Sequence, residues 1–237
     1  PELRHQPAAA RREVAGLMDI IPPQVNQSYD MHHVLHALVD DQSLLELQPD
    51  FGRSLITAVT RIGGIPCMLV ANQPAVLAGA ITRESAEKAC HFIEVADCFG
   101  LPLISLLDNP GVMPGPAAEK TGVLKAAARM FQAQRRYHGR KIVVTLRKAF
   151  GFGSSVMGMN PWDGQVISLA LPCANLGGIP AIGGAQAAHA DAEDAARLRE
   201  IQSGAWVPAD AMAFDKVIAP GDLRNELISA LYLRDSR

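Results

Sequence analysis

Aromatic residues are scarce in this chain, 5% of 237, and charged residues make up only 19% against 49% hydrophobic. The core it can build is therefore aliphatic and alanine-rich. A formal net charge of -2 removes any electrostatic basis for binding nucleic acid, which needs a clustered basic excess. Cysteine is sparse as well. Cys67, Cys90, Cys98 and Cys173 form no CxxC pair, which excludes a zinc ribbon and argues against a disulfide framework. Buried, reduced cysteines of a cytosolic protein are expected instead. No apolar run is long enough to span a membrane, and "PELRHQPAAARREVAG" at the start has no signal core. A soluble, cytoplasmic protein with no membrane and no nucleic-acid partner is expected.

Several catalytic signatures are also missing. There is no GxSxG nucleophile elbow, no GxxxxGK[ST] phosphate loop and no GxGxxG fingerprint. His32 and His36 stand one helical turn apart, but without HExxH or an evident third ligand. A solvated helix face explains them better than a metal, and no metal is expected. The glycine-rich segments hold few titratable groups for acid–base work. Chemistry of that kind draws its base from a cofactor or substrate.

What remains has a clear rhythm. At this length one large domain, or one domain with a tail, is the default. Residues 1–28 are polar and end in "DIIPPQVNQS", which predicts an interdomain linker leading into a domain over 29–237. The start at Pro1 points to a piece of a longer chain. Asp30 can cap a helix "MHHVLHALVDD", and "SLITAVTRIGGIPCMLVANQ" reads as two strands around Gly63-Gly64. Thr82 can open a helix that Gly100 closes. "LPLISLLD" is a strand covered on both faces, followed by a proline–glycine loop, a helix over 123–137 and the strand "KIVVTLR". "GQVISLALP", "GGIPAIGGAQ", the helix "DAEDAARLREIQ", "DKVIAP" and "GDLRNELISALYL" complete the chain. Alternating strands and helices call for an α/β fold with a parallel-rich sheet covered by helices.

Ligands in such folds sit at the carboxyl ends of strands. Two loops occupy that position. "NPGVMPG" follows Asp108, either as a structural loop or as a ligand wall. "AFGFGSS" follows Arg147, with a helix start placed at Ser154. It is either a plain turn or a set of backbone amides aimed at a developing oxyanion. The two loops are expected to share one edge. The basic patch "RRYHGRKI" lies where it can neutralise a helix C-terminus, with partner docking the lesser reading.

Four segments in order, "VNQSYDMHHVLHALVDDQSLLELQPDFG", "GGIPCMLVANQP", "LISLLDNPGVMPG" and "KIVVTLRKAFGFGSSVMG", resemble the carboxyltransferase (beta) subunits of biotin-dependent acyl-CoA carboxylases. They cover about residues 18–160 closely, and 161–237 match mainly in pattern. The resemblance implies a crotonase-like fold of repeated ββα units and places the chain as a C-terminal half. It implies an active site shared with the N-terminal half of the same or a neighbouring subunit, in a homo-oligomer. Partners would be an acyl-CoA and a biotin carboxylase or biotin-carrier subunit. CO2 would pass from carboxybiotin to the α-carbon of the acyl-CoA through enolates that need amide donors. By position, Phe152 and Gly153 would supply those catalytic amides, Ser155 would tune the acyl group, and Pro110, Gly111 and Val112 would line the biotin side. A decarboxylase, or a noncatalytic acyl-CoA-binding paralogue, is the alternative. Two stretches depart from the family: Gly151-Phe152-Gly153 stands where Gly-Gly-Ala is usual, and "LPCANLGGIPAIGG" replaces a stretch usually nearer "WPxAxIxVMGxxxA".

Overall fold

The computed structural model describes residues 11–178 and 192–233. Its described strands form one sheet: β1 (Leu45–Leu47), β2 (Leu55–Ile62), β3 (Ile65–Asn72), β4 (Leu103–Asn109), β5 (Lys141–Phe150), β6 (Ile167–Ala170), β7 (Asn175–Gly177) and β8 (Lys216–Val217). The spatial order is β1-β2-β3-β4-β5-β6-β8, and β7 pairs with the end of β5. β1, β2 and β3 run antiparallel, and every later pairing is parallel. The β2–β3 turn is the expected hairpin. Gly63 and Gly64 both have positive φ, 61° and 80°, which a two-residue turn matched to strand twist requires.

Helices cover both faces, which is why β4 is buried throughout. Ile104 and Leu106 point into one core with Ile142, Val144 and Leu169. That core is closed by α1 (Leu17–Ile20), α2 (Met31–Leu38) and the final helix Leu223–Tyr232. Leu103 and Leu107 point the other way, towards α3 (Arg83–Phe99) and α5 (Val123–Arg136). The caps fall where sequence puts them. Asp30 accepts from the His32 amide at 2.9 Å, Thr82 and Ser85 form a capping box, and Gly100 ends α3 at φ 62°. The basic patch serves the end of α5. Lys141 Nζ donates to the Gln134 carbonyl at 2.8 Å, and burial lowers that ammonium to about 8.

Several expectations need correction. The strand expected to end at Arg147 runs on to Phe150, because Lys148–Phe150 pair with β7, a partner remote in sequence. The helix placed at Ser154 begins at Gly151, whose φ of 55° lets the strand turn straight into α6 (Gly151–Val156). Cys98 is exposed rather than buried, and Cys173 is partly so; all four thiols are free. His32 is only partly solvated. It sits between Asp30 and Glu46, at 2.7 and 2.8 Å, while His36 is exposed. Val14, Leu17 and Ile21, in the segment expected as a linker, are buried in the first core. "GGIPAIGGAQ" lies almost wholly outside the described residues. No helix among the described residues is long and apolar enough to cross a membrane.

Asp40 ties the hairpin to the last helix. It accepts from the amides of Gly63 and Gly64 at 2.9 and 2.7 Å and pairs with the buried Arg224. Partial burial works against the charge, but Arg224 and the two amides outweigh it and lower the carboxyl. A folded-state pKa below the unfolded one adds stability above the ordinary carboxylate range, lost as pH falls through the folded value. Asp40→Ala is therefore expected to destabilise by about 1–3 kcal/mol at neutral pH. In urea titrations the gap from wild type should narrow towards pH 3; a pH-independent gap would contradict this account.

Candidate functional site

The two loops do share one edge, and they touch. A β-carbon built on Gly153 would lie 2.6 Å from the Gly111 Cα and 2.5 Å from Asn109 Oδ1. Glycine at 153 is thus demanded by the neighbouring loop's backbone. The contact is fixed by side-chain amides with no exposed surface. Asn72, at the end of β3, accepts from the Asp108 amide at 3.1 Å and from Asn109 Nδ2 at 3.2 Å, and donates to the Gly79 carbonyl at 3.1 Å. Asn109 Oδ1 in turn accepts from the Gly111 amide at 3.0 Å.

The Pro110–Gly111–Val112 turn is stitched on its far side to Ile81. Ile81 donates to the Gly111 carbonyl at 3.0 Å, and Met113 donates back to Ile81 at 2.8 Å. Val112 bridges Ile81 in parallel register. This brings in a third loop that sequence reasoning missed. In it, Leu77 and Ala78 both hold positive φ, 50° and 54°, which non-glycine residues seldom adopt. "NQPAVLAGA" contains a glycine but nothing that marks the residues before it.

Phe152 and Gly153 lie in the first turn of α6. No side chain caps this helix, and among the described residues no acceptor outside its own first turn takes their amides. The Phe152 ring is 40% exposed and turned towards α5, 5.9 Å from the Phe131 ring. Ser154, two residues after Phe152, donates to the Gly151 carbonyl at 2.7 Å and tightens the turn. Ser155 is half-buried, with its hydroxyl 3.4 Å from Asn160 Oδ1.

Beneath the loops lies a buried charge cluster, also unforeseen. Asp108 and Arg147 are fully buried and Lys148 is 6% exposed. Arg147 Nε donates to Asp108 Oδ2 at 3.0 Å, and Lys148 Nζ lies 3.5 Å from Oδ1. Consecutive strand residues normally face opposite ways. Here the register between β4 and β5 shifts after Leu107↔Thr145 and resumes at Asn109↔Ala149. Extra residues bulge from β5, so both cations reach one carboxylate. Burial lowers the Lys148 ammonium and Asp108 opposes that shift. Burial, then the Asp108 charge, raises the neighbouring Tyr29 hydroxyl well above its ordinary value.

The arrangement offers fixed neutral donors above a compensated charge cluster. Among the described residues no three His, Cys, Asp or Glu side chains converge as a metal site. Known proteins resemble the chain in sequence and in fold. The model of the "Carboxyl transferase domain" matches residues 1–236. The chain is 34% identical over 234 residues to the "Biotin-dependent acetyl-/propionyl-coenzyme A carboxylase beta5 subunit" of Mycobacterium tuberculosis, covering 92% of this chain and 42% of that one. It is 34% identical to the "Methylmalonyl-CoA carboxyltransferase 12S subunit" of Propionibacterium freudenreichii subsp. shermanii, covering 91% and 43%. Among solved structures, transcarboxylase 12S, described as a hexamer assembly with hydrolysed methylmalonyl-coenzyme A bound, superposes with a TM-score of 0.90 at 31% identity. That match covers 98% of this chain and 46% of the other. A single-chain, multi-domain long-chain acyl-CoA carboxylase gives 0.84 at 30% identity, covering 93% and 24%. The crotonase-like α/β architecture expected from sequence is the fold these structures share with the chain. The chain spans less than half the length of these curated relatives.

Asn72 is the hub of the loop contacts. Asn72→Ala should leave the Asp108 amide, Asn109 Nδ2 and the Gly79 carbonyl unpaired in a dry interior and lower stability by about 1–3 kcal/mol or more. Chemical denaturation measures it, and a loss of only a few tenths of a kcal/mol would show that the hub carries little.

Proposed function

Because the chain belongs to the carboxyl transferase domain family, we propose that it forms the biotin-side half of an acyl-CoA carboxyltransferase. CO2 is transferred from carboxybiotin on a carrier protein to the α-carbon of an acyl-CoA. The N-terminal half, from the same or a neighbouring subunit of a homo-oligomer, completes the site. Biotin, when presented there, supplies the activated carboxyl group. The residues present fit it: neutral backbone donors at a strand-to-helix turn suit an oxygen that gains negative charge, and no side-chain base is needed.

On this reading the amides of Phe152 and Gly153 hold the developing oxyanion. The turn of Pro110, Gly111 and Val112 walls the biotin side, and Ser155 borders the acyl group. The observation that carries the proposal is the contact of the two loops at Gly153, which fixes those donors against the Pro110–Val112 turn. The outward ring of Phe152 supports activity over a noncatalytic role, since the side chain leaves the donor face clear. Free thiols throughout fit the cytoplasmic location included in the proposal.

The test is fixation of labelled bicarbonate into a panel of acyl-CoAs by the complete protein with a carboxylated biotin carrier. Transfer is expected from the complete protein and none from these 237 residues alone. Fixation by this chain alone would overturn the shared-site reading. Release of CO2 from carboxylated acyl-CoAs without fixation would assign the decarboxylase. Ser155→Leu should change the ratio of kcat/KM between a short and a longer acyl-CoA roughly 10-fold or more, the scale of a methylene or two in an apolar pocket. An unchanged ratio would remove Ser155 from the acyl pocket.

A further inference from the structure

Arg147 does more than neutralise Asp108. Its Nη1 donates to three backbone carbonyls of one short segment: Pro22 at 3.0 Å, Gln24 at 2.7 Å and Gln27 at 2.9 Å. Its guanidinium carbon stands 5.1 Å from the centre of the Tyr29 ring. Nη2 has no hydrogen-bond partner among the described residues, and stacking on the ring offsets part of that deficit. The segment is bent to suit: the Gln27 amide closes a turn on the Gln24 carbonyl at 3.1 Å. Residues 22–27 belong to no strand of the sheet, yet they are bound to β5 by its one fully buried guanidinium.

From there the contacts run without a gap to the loops. Arg147 Nε holds Asp108 Oδ2, and the Lys148 amide holds Oδ1 at 3.3 Å. Asp108 precedes Asn109, whose side chain sets Gly111 and packs against Gly153. We propose that Arg147 is a positioning residue that couples the entry segment, residues 22–27, to the Asn109–Val112 loop through Asp108. The planar fork is what makes this possible. One group reaches a carboxylate and three carbonyls in fixed directions, and a lysine ammonium cannot hold both sides. The catalytic consequence rests on the carboxyltransferase reading; the mechanical coupling does not. Displacement of residues 22–27 would be felt at the donor loops.

The experiment uses the complete protein in wild-type form, as Arg147→Lys, and as the doubly loosened entry segment Pro22→Gly with Pro23→Gly, in which Arg147 is intact. Peptide-resolved hydrogen exchange should show amides over 109–113 exchanging at least about 10-fold faster in both variants, with β2 unchanged. Faster exchange confined to 22–29 in the entry-segment variant would overturn the coupling. If Arg147→Lys fails to fold, that second variant still decides. In the carboxylation assay both variants should lose roughly 10- to 100-fold in kcat with little change in KM. A loss explained wholly by a smaller folded fraction would reduce Arg147 to a structural ion pair. An inactive wild type would defeat the carboxyltransferase reading while leaving the exchange result to decide the coupling.

Discussion

A carboxylate with no exposed surface sets the terms for this site. A carboxylate in the interior calls for cations and amides around it, since an isolated buried charge costs several kcal/mol. The chain meets that demand by bulging β5, which brings Arg147 and Lys148 to the same side. The bulge has consequences beyond the ion pair. It takes up two residues of β5, so that Ala149 falls opposite Asn109 and the chain turns at Gly151 beside the end of β4. Without that offset, Gly153 would not meet Gly111.

Charge below and neutrality above form a division of labour. The cations are spent on Asp108 and on backbone carbonyls: Arg147 on the entry segment, and Lys148 on the Ala78 carbonyl at 3.3 Å. The loop surface is left to amides, held by Asn72 and Asn109. A lysine ammonium placed there would attract an anionic ligand strongly in the ground state. Fixed amide dipoles instead favour charge as it develops, which is the requirement for stabilising an enolate-like transition state. The Lys148 contact also helps retain the positive-φ pair Leu77 and Ala78, a conformation that costs of order 1–3 kcal/mol per residue and persists only when surroundings enforce it.

Much of the fold was legible because its signals are local. Asp30, Thr82 and Gly100 act through neighbours two to four residues away, and the Gly63-Gly64 turn needs only its own backbone. The continuous apolar run of β4 announced a strand covered on both faces. The two glycine loops could be assigned to one edge because parallel strands present their carboxyl ends together. What stayed hidden depends on partners far away in the chain. Nothing in "RKAF" reveals pairing with Asn175–Gly177, so the sequence alone ends the strand three residues early. Asp108 and Arg147 read as loop boundaries in sequence, since their burial depends on a register shift that no spacing records. The pairing of His32 stays hidden for the same reason: Glu46, its second partner, sits on β1, fourteen residues on.

The opening turn of α6 shows why the departure at Gly151-Phe152-Gly153 is tolerable. A side chain larger than hydrogen is impossible at 153, where the Gly111 backbone closes to within contact, but position 152 faces the other way. Successive residues of a helix are rotated by about 100°, so a bulky group at 152 and none at 153 is a consistent pair. The ring leaves the loop contact, leans towards Phe131 on α5, and anchors the outer side of the turn. The amides of both residues stay on the turn's first coil, free of any side-chain cap. Position 153 is set by the neighbouring loop's backbone and position 152 by the packing against α5, one helical step apart.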